Sequence, residues 1–243
     1  MRSVFYWSPI LDSITGQFRP TQLAKGMLPF NFGDALGIEV IQKLTDTRFA
    51  YGPIKTADIF VTGTVGQLIE MHGGAKPGAI LAGIGTDPKK ETAIDWPGTY
   101  DVRLVRGPLT RDAWKLSKDI PLGDPGIVSR EIYGEREKRY DVGFVRHFMD
   151  KTDLPTEIGS SERSIVIRAD QSPSAVIPLI AACRTLVTSS LHGAIVADSY
   201  GIPWRRHRAP VGLDLKWEDY RLAVEQHGIE RLKENVTEVL CQI

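Results

Sequence analysis

Cysteine is scarce in this chain: only Cys183 and Cys241 occur in 243 residues. Both sit in apolar surroundings without a C-x-x-C spacing, which argues for reduced core thiols and against a disulfide framework or a cysteine-based zinc site. The five histidines are scattered, and neither H-E-x-x-H nor a paired Asp/Glu spacing is present to hold a metal. Neither G-x-G-x-x-G nor G-x-x-x-x-G-K-[ST] occurs, so a dinucleotide or P-loop site is disfavoured. An excess of one charge sign is missing as well. Lys+Arg and Asp+Glu stand at 30 each, so no global field draws the chain to nucleic acid, and any anion specificity must be local. Long apolar runs are absent: the segment 1–9 is broken by Pro9 and too short for a signal peptide, and nothing later reaches membrane-spanning length. A cytoplasmic protein is the expectation.

What is present is the composition of an ordinary globular protein, 42% hydrophobic and 25% charged, with short β-branched runs alternating with helical patterns. Segments 3–7, 58–62, 79–82, 102–105, 142–145, 164–167 and 185–188 read as strands, and a further strand is expected just before Arg205. Leu36, Val40, Ile41 and Leu44 share one helical face. That order predicts an α/β protein with parallel sheets. The polar stretch 134–140 follows Gly123-Asp124-Pro125-Gly126 and marks a composition break. Two Rossmann-like halves are therefore expected, 1–133 and a smaller 134–243, with C-terminal helices from Lys216 onward packing back across the join.

In open α/β sheets ligands bind beyond the carboxyl ends of strands, and the polar and glycine-rich loops of this chain fall there. Gly63-Thr64-Val65-Gly66, Gly83-Ile84-Gly85, Arg106-Gly107-Pro108, Arg146-His147 and Ser189-Ser190-Leu191-His192-Gly193 each follow a strand. The last loop places an imidazole between a strand and a helix expected over 194–200, where free N–H groups and the helix dipole favour an anion. The plainer reading is that the serines only cap the helix. Arg106 ends a strand, with Pro108 suited to the first helical position. A cation there opposes the helix dipole, so the arrangement makes sense if an anion completes it; the alternative is a solvated or Asp-paired arginine. Asn31 or Asp34 is expected to cap the helix bearing Leu36, leaving the other for a ligand. The run Arg205-Arg206-His207-Arg208 would bring cations to the same mouth.

Taken together, Asn31-Phe32-Gly33-Asp34, Val105-Arg106-Gly107-Pro108-Leu109-Thr110, Gly123-Asp124-Pro125-Gly126, Val142-Gly143-Phe144-Val145-Arg146-His147 and the stretch from Ser189 to Pro203 resemble the polysaccharide pyruvyl transferase family. The match runs in order over about 31–220, and Lys216-Trp217-Glu218-Asp219 looks most like the exopolysaccharide ketal-pyruvate transferases. The resemblance implies a GT-B-like fold of two domains with a cleft between them. It implies transfer of a pyruvyl unit from phosphoenolpyruvate to two hydroxyls of a saccharide, forming a pyruvate ketal and releasing phosphate. His192 would be the general acid. Arg106, Lys216, Ser189 and Ser190 would bind the donor, and Asn31, Asp34, His147 and Arg205 are further site candidates.

No cofactor is implied beyond phosphoenolpyruvate as donor substrate. The other partner would be a saccharide or a lipid-linked oligosaccharide, with no nucleic acid, and at the inner face of the membrane if the acceptor is lipid-linked. Oligomeric state is left open. Two other readings remain: a GT-B-like glycosyltransferase using a nucleotide sugar, and a non-catalytic homologue that binds a saccharide or an anion. Relative to the family the chain is short over 133–174, where 151–163 reads as a brief polar loop, and its Gly63 to Gly66 loop is less glycine-dense.

Overall fold

Runs of alternating or continuous apolar residues, too short for helices and separated by helical stretches, can pair in parallel only through crossovers. A computed structural model, describing residues 1–24, 31–87, 92–147, 150, 152–207 and 214–243, shows that pairing twice. The first sheet contains β1 (Ser3–Phe5), β2 (Ala50–Tyr51), β3 (Ile59–Phe60), β4 (Ile80–Ile84) and β5 (Asp101–Val105) in the order β2-β1-β3-β4-β5. The second contains β6 (Tyr140–Arg146), β7 (Ser164–Arg168), β8 (Cys183–Thr188) and β9 (Trp204–Arg206) in the order β7-β6-β8-β9. All pairings are parallel. Strand β4 is buried throughout, as a parallel strand covered on both faces must be. Each strand read from the sequence is present. Strand β2 was not foreseen, because two residues show no period.

The helices are α1 (Pro20–Ala24), α2 (Phe32–Thr45), α3 (Val65–Met71), α4 (Trp96–Thr99), α5 (Pro108–Ala113), α6 (Ser129–Tyr133), α7 (Thr156–Gly159), α8 (Pro173–Ala181), α9 (Leu191–Ser199) and α10 (Asp214–Cys241). A 3-10 turn, Pro125–Val128, leads into α6. Pro108 opens α5 as expected. Helix α9 starts earlier than expected, at Leu191, so His192 lies within its first turn rather than before it. In sequence Gly193 reads as a boundary; in the structure it lets α9 lie directly on the sheet. A Cβ at that position would be 2.4 Å from Thr188 Oγ1 and 3.2 Å from Val145 Cβ.

Leu36, Val40 and Ile41 are fully buried and carry α2 against α8, α6, α10 and the 3-10 turn. Helix α10 starts at Asp214 rather than Lys216 and is broken at Gly228, whose φ of 74° and ψ of 160° are not helical. It packs on β4, β5, α5 and α9. Asn235 Nδ2 donates to Leu122 O at 2.9 Å, and Tyr220 Oη donates to Asp198 at 2.7 Å. Buried apolar side chains from both sheets, Phe60 and Leu81 among them with Val145 and Leu186, form one cluster.

Between residues 133 and 174 the chain forms β6, the single turn α7 and β7. Lys151 of the expected loop and Arg208 of the basic run lie outside the described residues. Among the described residues no helix is long and apolar enough to cross a membrane.

Candidate active site

Strand β8 hands its chain to α9 through Thr188, whose Oγ1 accepts from Ser190 N at 3.0 Å and donates to Ser190 O at 2.9 Å. This tight hydroxyl-closed turn leaves no slack, and His192 enters directly in the first helical turn. Ser190 holds the N-cap position in extended backbone, φ −103° and ψ 127°, yet makes no side-chain capping bond. Ser189 does different work from capping: its Oγ accepts from His147 N at 2.9 Å, tying the end of β6 to the end of β8.

The His192 side chain is 11% exposed, and its Nε2 stands 3.6 Å from Asp124 Oδ2. Both atoms are buried, and neither has a hydrogen-bond partner among the described residues. Asp124 is held by its other oxygen, which accepts from Gly126 N at 2.9 Å at the start of the 3-10 turn. The opposite edge of the imidazole lies on Gly33, where a Cβ would come 2.0 Å from Nδ1. Phe32 meets the ring edge-on at 6.4 Å. The first turn of α2 and the 3-10 turn thus hold one ring between them.

Arg106 is 1% exposed, as is Asp219 of α10, whose Oδ2 lies 3.5 Å from Arg106 Nε. Nη1 donates to Thr64 Oγ1 at 3.4 Å, and the guanidinium packs against Gly85, where a Cβ would be 2.2 Å from Nη2. Nη2 is buried without a hydrogen-bond partner among the described residues. The sequence left open whether an outside anion or an Asp completes the N-terminus of α5; the chain supplies Asp219. That carboxylate accepts from Leu109 N at 2.8 Å, Thr110 N at 3.2 Å and Thr110 Oγ1 at 2.6 Å. It offsets the unpaired N–H groups and the cation at one place. The unpaired Nη2 edge remains for something else.

Asn31 occupies the N-cap position of α2 but forms no capping bond. Its Nδ2 instead donates to Asp34 Oδ2 at 2.6 Å. Asp34 Oδ1 rests on Gly63, whose φ of +88° and missing Cβ make the room. Burial raises the Asp34 pKa, opposed by the charges of His192 and Lys216 and by the Asn31 bond. Lys216, in the first turn of α10, is pushed down to about 8 by burial and then by the Arg106 charge, with Asp34 opposing. His147 is pushed down to about 4, by burial and then by Lys216, with Asp150 opposing and His192 adding to the shift. The fold therefore gathers His192, Arg106, Lys216, Asp34, Asn31, His147 and Ser189 beyond the carboxyl ends of β5, β6 and β8.

Arg205 is not among them. Successive residues of a strand point to opposite faces, and Arg205 stays exposed, donating through Nε to Glu157 at 2.9 Å. Its neighbour Arg206 takes the inner face, 4.7 Å over the Trp217 ring, and its charge is felt at Lys216. Sequence reasoning also passed over Asp124, Asp219 and Thr64 as site residues. Asp124 read as a turn residue before Pro125. Asp219 carried a usable signal, since it shares a helix face with Lys216 and the buried Ala223, and a carboxylate on a buried face needs a partner. Among the described residues no group of three or more His, Cys, Asp or Glu is placed to hold a metal.

Two parallel sheets, with a buried imidazole–carboxylate pair and converging cations past their strand ends, make an α/β protein that can hold a small anion and move a proton. The chain matches the polysaccharide pyruvyl transferase family over residues 32–205, and it belongs to that family. It is 32% identical over 146 residues to the uncharacterized protein L143 of Acanthamoeba polyphaga mimivirus, covering 54% of this chain and 50% of that protein. It is 28% identical over 142 residues to the succinoglycan biosynthesis protein ExoV of Rhizobium meliloti (strain 1021), covering 57% and 44%. The matched region thus spans half or less of these relatives. No solved structure gives a significant match.

Proposed function

We propose that this chain transfers a pyruvyl unit from phosphoenolpyruvate to two hydroxyls of a saccharide, forming a cyclic ketal in the synthesis of a surface or extracellular polysaccharide. The observation that carries the reading is the unpaired His192 Nε2 facing the unpaired Oδ2 of Asp124 at 3.6 Å, beside two cations. Family membership and the likeness to a succinoglycan biosynthesis protein support the reaction class.

In this scheme Arg106 grips the planar donor carboxylate or phosphate through its free edge, as a guanidinium fork does best. Lys216 sets a point charge beside the departing phosphate. The imidazolium of His192 gives its proton to the methylene carbon of the enol, and the resulting cationic centre at C2 is attacked by one sugar hydroxyl. The C2–O bond to phosphate breaks, and the second hydroxyl attacks the same carbon. Of the two hydroxyl protons, one leaves with phosphate and one returns to the imidazole, so the acid is regenerated. Asp34, steadied by Asn31, is placed to orient a hydroxyl. The reaction needs no cofactor, and the acceptor is a free or lipid-linked saccharide, the latter met at the inner face of the membrane.

The test is phosphate release from phosphoenolpyruvate with a panel of hexosides, together with thermal shifts. Phosphoenolpyruvate at a hundredfold its Kd should stabilise the protein by about 2.7 kcal/mol, and nucleotide sugars should not. The reverse pattern would replace this reading with glycosyl transfer.

Donor binding is expected to depend on pH through Lys216. This ammonium is fully charged well below its pKa of about 8 and neutral well above it. A bound anion favours the charged form, so binding takes up a proton on the alkaline side. The Kd for phosphoenolpyruvate should therefore be flat well below pH 8 and rise by up to about tenfold per unit well above it. Titration calorimetry from pH 7 to 10 reads this directly. Lys216→Arg keeps its charge across that range and should abolish the rise.

Gly33→Ala should uncouple folding from activity. The new methyl would fall 2.0 Å from Nδ1 of the imidazole, and overpacking of this kind costs about 1–3 kcal/mol. Misplacing a reacting group by about 1 Å costs about a hundredfold in rate. Circular dichroism should stay native while phosphate release drops by that factor; a variant with unchanged rate would show that the ring position is not critical.

A further inference from the structure

A cavity of about 720 Å³ opens between β9, the end of α9 and the first turns of α10. Small-ligand pockets run from about 300 to 1,000 Å³, and this one has room for one or two sugar rings. Trp204, Trp217 and Tyr220 wall it. Two of those rings are fixed in advance: Asp198 accepts from Trp204 Nε1 at 2.7 Å and from Tyr220 Oη at 2.7 Å.

The charge around the cavity differs from that of the acid–base cluster. Asp198, Asp214, Glu218 and Glu225 outnumber Arg206 and Arg221. The two guanidinium groups are already engaged, Arg221 with Glu218 at 2.6 Å and with Glu225, and Arg206 with Asp214. A phosphate or carboxylate ligand is repelled by that balance. Rigid aromatic faces suit the C–H face of a neutral ring, while rim carboxylates accept from its hydroxyls.

Position links the cavity to the cluster. Arg206 pairs in register with Thr188, the residue before the Ser189 to His192 turn. Trp204 and Arg206 share one face of β9, and the Arg206 charge acts on Lys216. We propose that this cavity is a subsite for a neutral sugar unit of the acceptor chain, adjoining the unit that receives the pyruvyl group. The word acceptor rests on the proposed transfer; the sugar binding itself does not.

Saturation-transfer NMR with cellobiose and lactose tests it, with n-octanol as an apolar probe and the phosphoenolpyruvate thermal shift as a separate readout. Both disaccharides should bind the wild type, at least tenfold more weakly to Trp217→Ala and about threefold more weakly to Glu218→Gln, with the phosphoenolpyruvate shift unchanged in both. If Trp217→Ala does not fold, Leu215→Trp, which fills the cavity from its rim, should abolish the signal. No disaccharide signal, a signal indifferent to these variants, or n-octanol bound instead of sugar would overturn the proposal. Sugar binding without any phosphoenolpyruvate shift would leave the subsite standing and sink the transfer; a shift without sugar binding would do the opposite.

Discussion

His192→Ala should lower phosphate release from phosphoenolpyruvate by about 10²–10⁴-fold, the usual contribution of a positioned general acid, while the donor still raises Tm. The two effects separate because donor contacts are assigned to Arg106 and Lys216, and the proton to the imidazole. Asp124→Asn gives the second half of the experiment. It keeps the volume and the bond to Gly126 N but replaces the carboxylate oxygen that faces Nε2 at 3.6 Å. A smaller loss of rate is expected, with the phosphoenolpyruvate thermal shift retained. An unchanged rate in Asp124→Asn would show that the facing carboxylate takes no part in the proton transfer. Phosphate release undiminished in His192→Ala would remove the acid from the scheme altogether.

Asp219→Ala should be among the most destabilising single changes in the chain, at about 3–5 kcal/mol. Asp219 and Arg106 are each 1% exposed, so solvent cannot screen the cation left behind. The same change takes the acceptor from Leu109 N, Thr110 N and Thr110 Oγ1. Urea unfolding of wild type and variant reads the difference, and Asp219→Asn, which can still accept some of these bonds, should lose less. Because Arg106 would then lack its carboxylate, phosphoenolpyruvate should restore more stability to Asp219→Ala than it adds to the wild type. A loss below about 1 kcal/mol, the scale of an exposed ion pair, would show that α10 does not secure the arginine.

The parallel strands were readable because each is a local matter: a β-branched run and its bounding glycines carry the signal within a few residues. Pro108 at the head of α5 and Arg106 at the end of β5 are local in the same sense, as is the placing of His192 beside a strand end. The start of α9 was misread because Gly193 has two meanings in sequence, a helix boundary or a close contact. Only the Thr188 side chain beneath it decides between them. Arg205 and Arg206 are equivalent in sequence, and one residue of register separates an exposed pair with Glu157 from a place beside Lys216. The pairing of β9 with β8 makes that choice.

What the sequence determined by itself is the α/β alternation, the loops that carry chemistry, and family membership across residues 32–205. These follow from propensity, period and motif, all of which act over short stretches of chain. Tertiary structure alone decided that Asp124 faces His192, that Asp219 caps α5 and closes on Arg106, and that Gly33 seats the imidazole. Each of those contacts joins segments far apart in the chain, and burial makes them consequential: a charge that water would screen at the surface must here be answered by a specific partner.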